Sequence, residues 1–304
     1  MNQADLMWLD LELAISKVHD EIRFNLAKQL ELQKQDSLLK ALEKLMLTKK
    51  EVNEVTKLEV LLVQTKVQET KRHLAQTKRD IQGLESQLSQ LVGSTVTISA
   101  SSEDYIPLKP LSFDSTQLRQ HPELRKYQVE RSINEQEKKL EKSRLMPDIK
   151  LGYVNQTLVG VHSVDGLTDV IKEPTDRFQA IQLGVTIPLF FGSTTNKLKA
   201  ISIGQERLSL EEKYTSSAMN TLYIRTLNDY IGARENVELY QKEVLPQVIQ
   251  MELQSTIQLE SGEVSMLEFL QVKQVVYDAQ IAYLETIMKA NQTTFQLNWF
   301  AKTK

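Results

Sequence analysis

Hydrophobic positions recur at helical spacing through most of the chain. Leu11, Ile15, Val18 and Ile22, then Leu38, Leu42 and Leu45, predict a helix from about Asp5 to about Val52. Val67, Leu74, Ile81 and Leu88 fall seven apart, and Leu84 and Leu91 each follow one of them by three residues. A second helix, from about Val55 to Leu91, therefore presents a heptad seam, and Gly93 closes it. Residues 94–116 change character: a β-prone polar run leads to Pro107 and Pro110, which forbid helix, so this stretch reads as an extended linker. A third helix starts near Asp114 or Ser115, both good caps, and reaches Leu145, where Pro147 ends it. Its second half is mostly charge and predicts a solvated face.

Two segments then alternate with period two. Ile149, Leu151 and Tyr153 point one way and Lys150, Gly152 and Val154 the other. Ile181, Leu183, Val185, Ile187 and Leu189 share a face against Ala180, Gln182, Gly184 and Thr186. These strands, 148–160 and 179–189, are each about ten residues, the length of a tilted membrane-spanning strand. A polar stretch with Gly166 and Pro174 joins them. A fourth helical region runs from about Thr195 to Leu259, bent or interrupted at Pro246, and a last helix follows Gly262 and ends near Phe300. The predicted fold class is mainly α: long antiparallel helical hairpins plus a two-stranded antiparallel β-hairpin.

The chain also repeats itself. At a shift of 209 residues, Asn53–Leu61 falls on Gly262–Leu270, so that Glu54, Val55, Leu58, Glu59 and Leu61 meet Glu263, Val264, Leu267, Glu268 and Leu270. In each copy one long helix ends and another begins. Asn53 or Gly262 opens a tight turn. Thr56 or Ser265 can cap the new helix, with Glu59 or Glu268 at capping-box spacing. Well-capped helix starts are common, but repetition at a fixed offset with matching flanks favours a shared ancestral unit. Residues 1–93 form a first-repeat hairpin, 94–116 a linker, and 117–304 a complete second repeat. The third helix and both strands have no first-copy counterpart, and restoring one would add roughly 90 residues at the N-terminus.

Composition narrows the function. A net charge of −3 gives no electrostatic footprint for nucleic acid. The absence of cysteine excludes disulfides and thiolate metal sites. His19, His73, His121 and His162 are scattered, and no nucleophile–base pair, phosphate loop or metal-ligand cluster appears. An enzyme, a cofactor and a bound metal are not expected. No run of about 18 apolar residues offers a membrane-spanning helix. The polar, acidic start shows no export signal, which either argues against an outer-membrane destination or means that the natural N-terminus is missing.

Several segments in order resemble the TolC family of outer-membrane efflux factors. His121-Pro-Glu-Leu-Arg-Lys-Tyr127 is similar to the start of its long periplasmic helix. Ser143–Tyr153 resembles its helix-to-strand transition, and Leu183-Gly-Val-Thr-Ile-Pro-Leu-Phe-Phe-Gly192 its return strand. Leu239–Pro246, Ser261–Leu270 and Tyr277–Tyr283 resemble its last hairpin. The return strand is similar to that of members serving heavy-metal pumps of the resistance-nodulation-division (RND) class, some of which are fused to the pump.

The resemblance implies a homotrimer that works with a periplasmic adaptor (a membrane fusion protein) and an inner-membrane RND pump. The trimer would form a passive tunnel in the periplasm and a barrel in outer-membrane lipid. It also implies an aperture ringed by acids at the hairpin turns. Glu268 matches an aperture acid, Glu59 is its first-repeat partner, and Glu54 and Glu263 lie beside them. Gln271 stands where a second acid is often found, which puts a double ring in doubt. Capping and aperture roles for Glu59 and Glu268 are compatible. Family members give four strands per subunit where two are visible here, so the chain alone is not expected to make a normal pore. Two other readings are a periplasmic adaptor, disfavoured because the hairpin halves flank a strand pair, and a soluble coiled-coil scaffold. Tyr153 and Phe190-Phe191 fit either interfacial aromatics or core.

Overall fold

The computed structural model describes residues 2–96, 98, 104–111, 115–157, 160–163, 166–167, 169–172, 175 and 177–302. Helices α1 (Asn2–Glu51) and α2 (Lys57–Val92) form the first hairpin. A 3₁₀ turn (Ser115–Gln120) leads into α3 (Pro122–Ser143). Four strands follow: β1 (Asp148–Thr157), β2 (Gly160–Ser163), β3 (Asp169–Lys172) and β4 (Arg177–Thr186). Helix α4 (Gly192–Leu239) passes through a π turn (Tyr240–Val244) into α5 (Leu245–Ser261), and α6 (Met266–Ala301) completes the second hairpin. No described helix is long and apolar enough to cross a membrane.

The chain divides into two compact units. The first is Met1–Lys126 with Tyr214–Lys304; the second is Tyr127–Lys213. In the first unit α2 buries Val60, Val63, Val67, Thr70, Thr77, Ile81 and Leu88, a three–four alternation that keeps one seam toward α1. Two of these positions are threonine. Thr70 satisfies its hydroxyl by donating to the Lys66 carbonyl at 2.9 Å, so the seam carries no unpaired polar group there. Val18, Ile22 and Leu42 on α1 are buried as expected. Near the C-terminal end of α1 the seam runs through Leu39, Leu42 and Met46 in a three–four step, so Leu45 faces solvent. Helices of both repeats meet in one cluster, where Leu39, Leu42 and Met46 pack with Val60, Val63 and Val67 and with Met266, Phe269 and Leu270.

Two element starts differ from expectation, and proline explains both. The third helix begins at Pro122 rather than near Ser115, and Asp114 lies outside the described residues. An α-helix through both segments would need a Pro122 N–H to bond the Leu118 carbonyl. Instead the His121 amide takes that carbonyl at 3.1 Å, closing a 3₁₀ turn, and proline takes the first helical position. The break before Pro246 lies upstream of it. Pro246 cannot donate to the Lys242 carbonyl, and the preceding turn widens so that the Leu245 amide reaches Tyr240. Gln241 Nε2 donates to the Tyr283 hydroxyl at 2.7 Å, pinning this π turn to α6.

In the second unit α3 and α4 are bridged by Arg131 with Glu212 and by Lys197 with Glu141, the latter at 3.8 Å. Beyond them β1 pairs antiparallel with β4, and β2 with β3. The second ladder was not read from the sequence. Its signal is Val161 opposite Ile171, with Gly166 at positive φ in the intervening turn. Pro174 and residues 158–159, within the expected first strand and joining stretch, lie outside the described residues.

His121 is fully buried and stacks against Trp299 with ring centroids 4.3 Å apart. The Glu123 amide can only donate, so Nδ1 accepts it at 3.2 Å, and Nε2–H donates to the Trp299 carbonyl at 3.3 Å. The ring is therefore a neutral helix cap. Burial lowers its pKa from the ordinary value of 6.5, against a smaller raising effect of the Trp299 carbonyl. A lowered histidine pKa means that the unfolded chain binds the proton more tightly. Its stabilising contribution is complete above the unfolded pKa and is lost as pH falls below it. Urea unfolding midpoints of the native chain and of His121→Gln, compared on both sides of this pH, should differ more at neutral than at acid pH. A pH-independent difference would refute the assignment.

Candidate functional site: paired hairpin turns and an exposed strand face

The two turns are built alike, bond for bond. α1 ends with Asn53 at φ 58° and α5 with Gly262 at φ 76°, the left-handed conformation that ends a helix. The Asn53 amide donates to Lys50 at 3.1 Å and Glu54 to Lys49 at 2.9 Å. Gly262 donates to Leu259 at 3.2 Å and Glu263 to Gln258 at 2.8 Å. Each donor and acceptor is 209 residues from its counterpart. The next helix opens with a full capping box in both copies. Thr56 Oγ1 accepts from the Glu59 amide at 3.2 Å, and Glu59 Oε2 takes back the Thr56 amide at 2.7 Å and hydroxyl at 2.8 Å. Ser265 and Glu268 repeat this at 3.3, 2.8 and 2.8 Å.

These bonds set the local electrostatics. Hydrogen bonds from the Thr56 backbone and then its side chain hold the Glu59 carboxyl below the ordinary range, and Ser265 does the same for Glu268. Both acids stay ionised at the positive end of a helix. Glu54 and Glu263 contribute only their backbone to the turns, and both side chains are exposed. Lys49 lies 4.0 Å from Glu54, an exposed pair worth little. Residues beside both turns, Val55 and Leu259, pack against the one cluster shared by α1, α2 and α6. Val52, Leu58 and Leu267 add exposed apolar surface around the turns.

The strand register pairs the apolar residues of one face with one another. Ile149 pairs with Val185, Leu151 with Leu183 and Tyr153 with Ile181. All six are exposed, Leu151 at 76% and Ile181 at 79%. The other face pairs Lys150 with Gly184, Gly152 with Gln182 and Val154 with Ala180. Ile187 and Leu189 were expected on β4, but the strand ends at Thr186 and both lie beyond it. Pro188 has no donor to extend the ladder, and neither does Pro147, which precedes Asp148 opposite Thr186. Both residues are exposed all the same, as are Phe190 and Phe191.

A third feature was not read from the sequence. Asp20 and Asn291, both buried, hold Tyr105 and the backbone after it. Asn291 occupies a core position among Ile287, Ala290 and Leu297, and a polar residue in such a stripe is the available signal. Among the described residues no three His, Asp or Glu side chains gather where they could hold a metal ion.

No protein-family model and no curated protein matches the chain. Solved structures do. A membrane protein from Pseudomonas aeruginosa superposes with a TM-score of 0.83 at 13% identity, covering 99% of this chain and 70% of that one. CusC, described for its transmembrane channel formation, gives 0.82 at 12% over 97% and 69%. The CmeC outer membrane channel of Campylobacter jejuni gives 0.81 at 13% over 99% and 64%. The chain thus has the fold of TolC-like outer-membrane efflux channels and spans about two thirds of their length.

The turn chemistry predicts that Thr56→Ala and Ser265→Ala each lower stability by about 1 kcal/mol, because each leaves a helix N-terminus uncapped. Gly262→Val should cost about 1–2 kcal/mol from its left-handed backbone, whereas Asn53→Gly should cost nothing. Chemical denaturation of the four variants checks this, and equal costs for Gly262→Val and Asn53→Gly would contradict it.

Proposed function

We propose that this chain is a subunit of a passive, trimeric efflux conduit of the outer membrane and periplasm. The observation that carries the reading is the β1–β4 ladder. Its two strands are ten residues each; one face carries six exposed apolar side chains, and the other mixes lysine, glutamine and glycine with Val154, Ala180 and Phe178. Holding such a face in water costs roughly 1.5–3 kcal/mol per large apolar side chain. Lipid removes that cost, provided the outer strand edges pair with neighbouring strands. Residues 1–93 and 117–304 are then two copies of one tunnel-building unit joined by the linker 94–116. Ile187, Leu189 and the phenyl rings of Phe190 and Phe191 would lie at the lipid–water boundary.

The paired turns form the closing end of the tunnel. Glu54, Glu59, Glu263 and Glu268 give it a negative rim, and exposed Leu58 and Leu267 offer contacts for a periplasmic adaptor. An inner-membrane pump of the RND class supplies the cargo. Heavy-metal ions fit the likeness of the return strand to metal-efflux members. The conduit needs no catalytic group, since it supplies a path while the pump supplies the energy.

Two measurements test the proposal. Leu151→Arg places a charge on the lipid face, at a cost of about 2–4 kcal/mol near the bilayer midplane. The native chain should be recovered with outer membranes and this variant should not. If both stay soluble, folded and monomeric, the coiled-coil scaffold is the correct reading. Glu59→Gln with Glu268→Gln keeps both capping boxes, because glutamine also completes them. The double variant should fold normally yet show weaker cation preference in bilayer conductance of assemblies whose barrel is completed by further strands. Unchanged selectivity would leave these acids a capping role only.

A further inference from the structure

The segment Asp104–Leu111 has no regular secondary structure, so its backbone polar groups depend on side chains. Two helices supply them. From α1, Arg23 donates to the Asp104 carbonyl at 2.8 Å and lies over the Tyr105 ring at 5.8 Å. From α6, Asn291 Oδ1 accepts from the Leu108 amide at 2.7 Å, its Nδ2 donates to the Ile106 carbonyl at 3.3 Å, and Asn298 Oδ1 accepts from Leu111 at 2.8 Å. The Tyr105 ring packs among Phe24, Ala233, Val237, Ile287 and Ala290. The segment is a strap binding α1, α4 and α6 together.

Beneath it lies Asp20, only 2% exposed. Oδ2 accepts from the Tyr105 hydroxyl at 2.9 Å and Oδ1 from Asn291 Nδ2 at 2.8 Å. We propose that Asp20 is a proton-operated lock: with a proton bound it favours the closed strap, and ionised it makes the strap easier to lift.

The argument rests on what the strap does to water. Closed, it leaves the carboxyl with two donors and almost no solvent. Lifted, it returns the carboxyl to water, where the charge is well hydrated. The ionised form therefore favours lifting relative to the protonated form. Contact survives protonation, since a proton on Oδ2 donates to the Tyr105 oxygen with the roles reversed.

The surrounding charges are few. On α1, Arg23 favours the carboxylate, Glu21 opposes it, and His19 is its chain neighbour. The strap presents Tyr105. α6 presents neutral Asn291, with Gln292 occupied by Glu21 at 3.4 Å. From α4 the packed residues are apolar Ala233 and Val237, while Arg234 and Glu238 line a separate groove against Pro107–Lys109.

Burial outweighs the two hydrogen bonds and Arg23, pushing Asp20 up to about 6 from 3.8. A carboxyl raised in the closed state favours closure fully below its solvated pKa, and loses that effect as pH rises through the closed-state value. Across that window the strap's opening equilibrium should rise on the order of a hundredfold. The lock does not rest on the channel reading.

The test is amide hydrogen exchange on the full-length chain from about pH 4 to about pH 7.5, corrected for the intrinsic pH dependence of exchange. Peptides holding Leu108 should show the rise, while those in the α2 seam stay flat. Asp20→Asn should flatten the strap profile and leave any effect of His121 intact. Tyr105→Phe, a milder change, keeps the acid but removes one donor to the carboxylate, so its rise should move to higher pH. A flat or falling profile in the native chain, its persistence in Asp20→Asn, or an unmoved rise in Tyr105→Phe would each overturn the proposal.

Discussion

The structure of the larger unit depends on the packing of α2 against α1 and α6 through a narrow seam of medium-sized apolar residues. Val63 and Val67 are completely buried there, and Met266, Phe269 and Leu270 reach the same cluster from the other repeat. Such a seam fixes both the register of each hairpin and the placement of one hairpin beside the other. With the helices locked, both turns are anchored to the same cluster. Each turn uses matching backbone bonds and the same capping box. Asn53 and Gly262 solve one backbone problem with different residues.

A second constraint acts on the smaller unit, and it points outward. Six large apolar side chains on one face of a two-stranded ladder lie opposite one another and remain exposed. A hydrophobic core would have hidden them. Their alternation with lysine, glutamine and glycine is the pattern of a sheet between two different solvents. That pattern and the coiled-coil seam together make the fold comparison intelligible at identities where sequence alone is silent.

Much of this was legible in the sequence because period and punctuation are local. The heptad at Val67, Leu74, Ile81 and Leu88, the capping boxes at Thr56 and Ser265, and the alternation in both long strands all follow from residue spacing. The register of those strands was not legible, since any slip by two residues keeps both apolar sets on one face. What stayed hidden depends on distant partners. The strap over α1, α4 and α6 joins Asp20, Tyr105 and Asn291 across 271 residues of sequence. His121 becomes a neutral cap only because Trp299 and Glu123 meet it. Proline effects were legible in kind but misplaced. Pro122 delays a helix start, Pro246 displaces the irregular turn upstream, and Pro188 shortens a strand.

The absence of cysteine makes the central claim directly measurable. Single cysteines at Leu151, Gln182 and Leu183 can each carry a nitroxide label in protein recovered with membranes. Collision with a lipid-soluble relaxant should dominate at positions 151 and 183, and collision with a water-soluble relaxant at 182. Dominant aqueous collision at all three positions would mean that this face does not meet lipid, and the account of the chain as a channel subunit would fall.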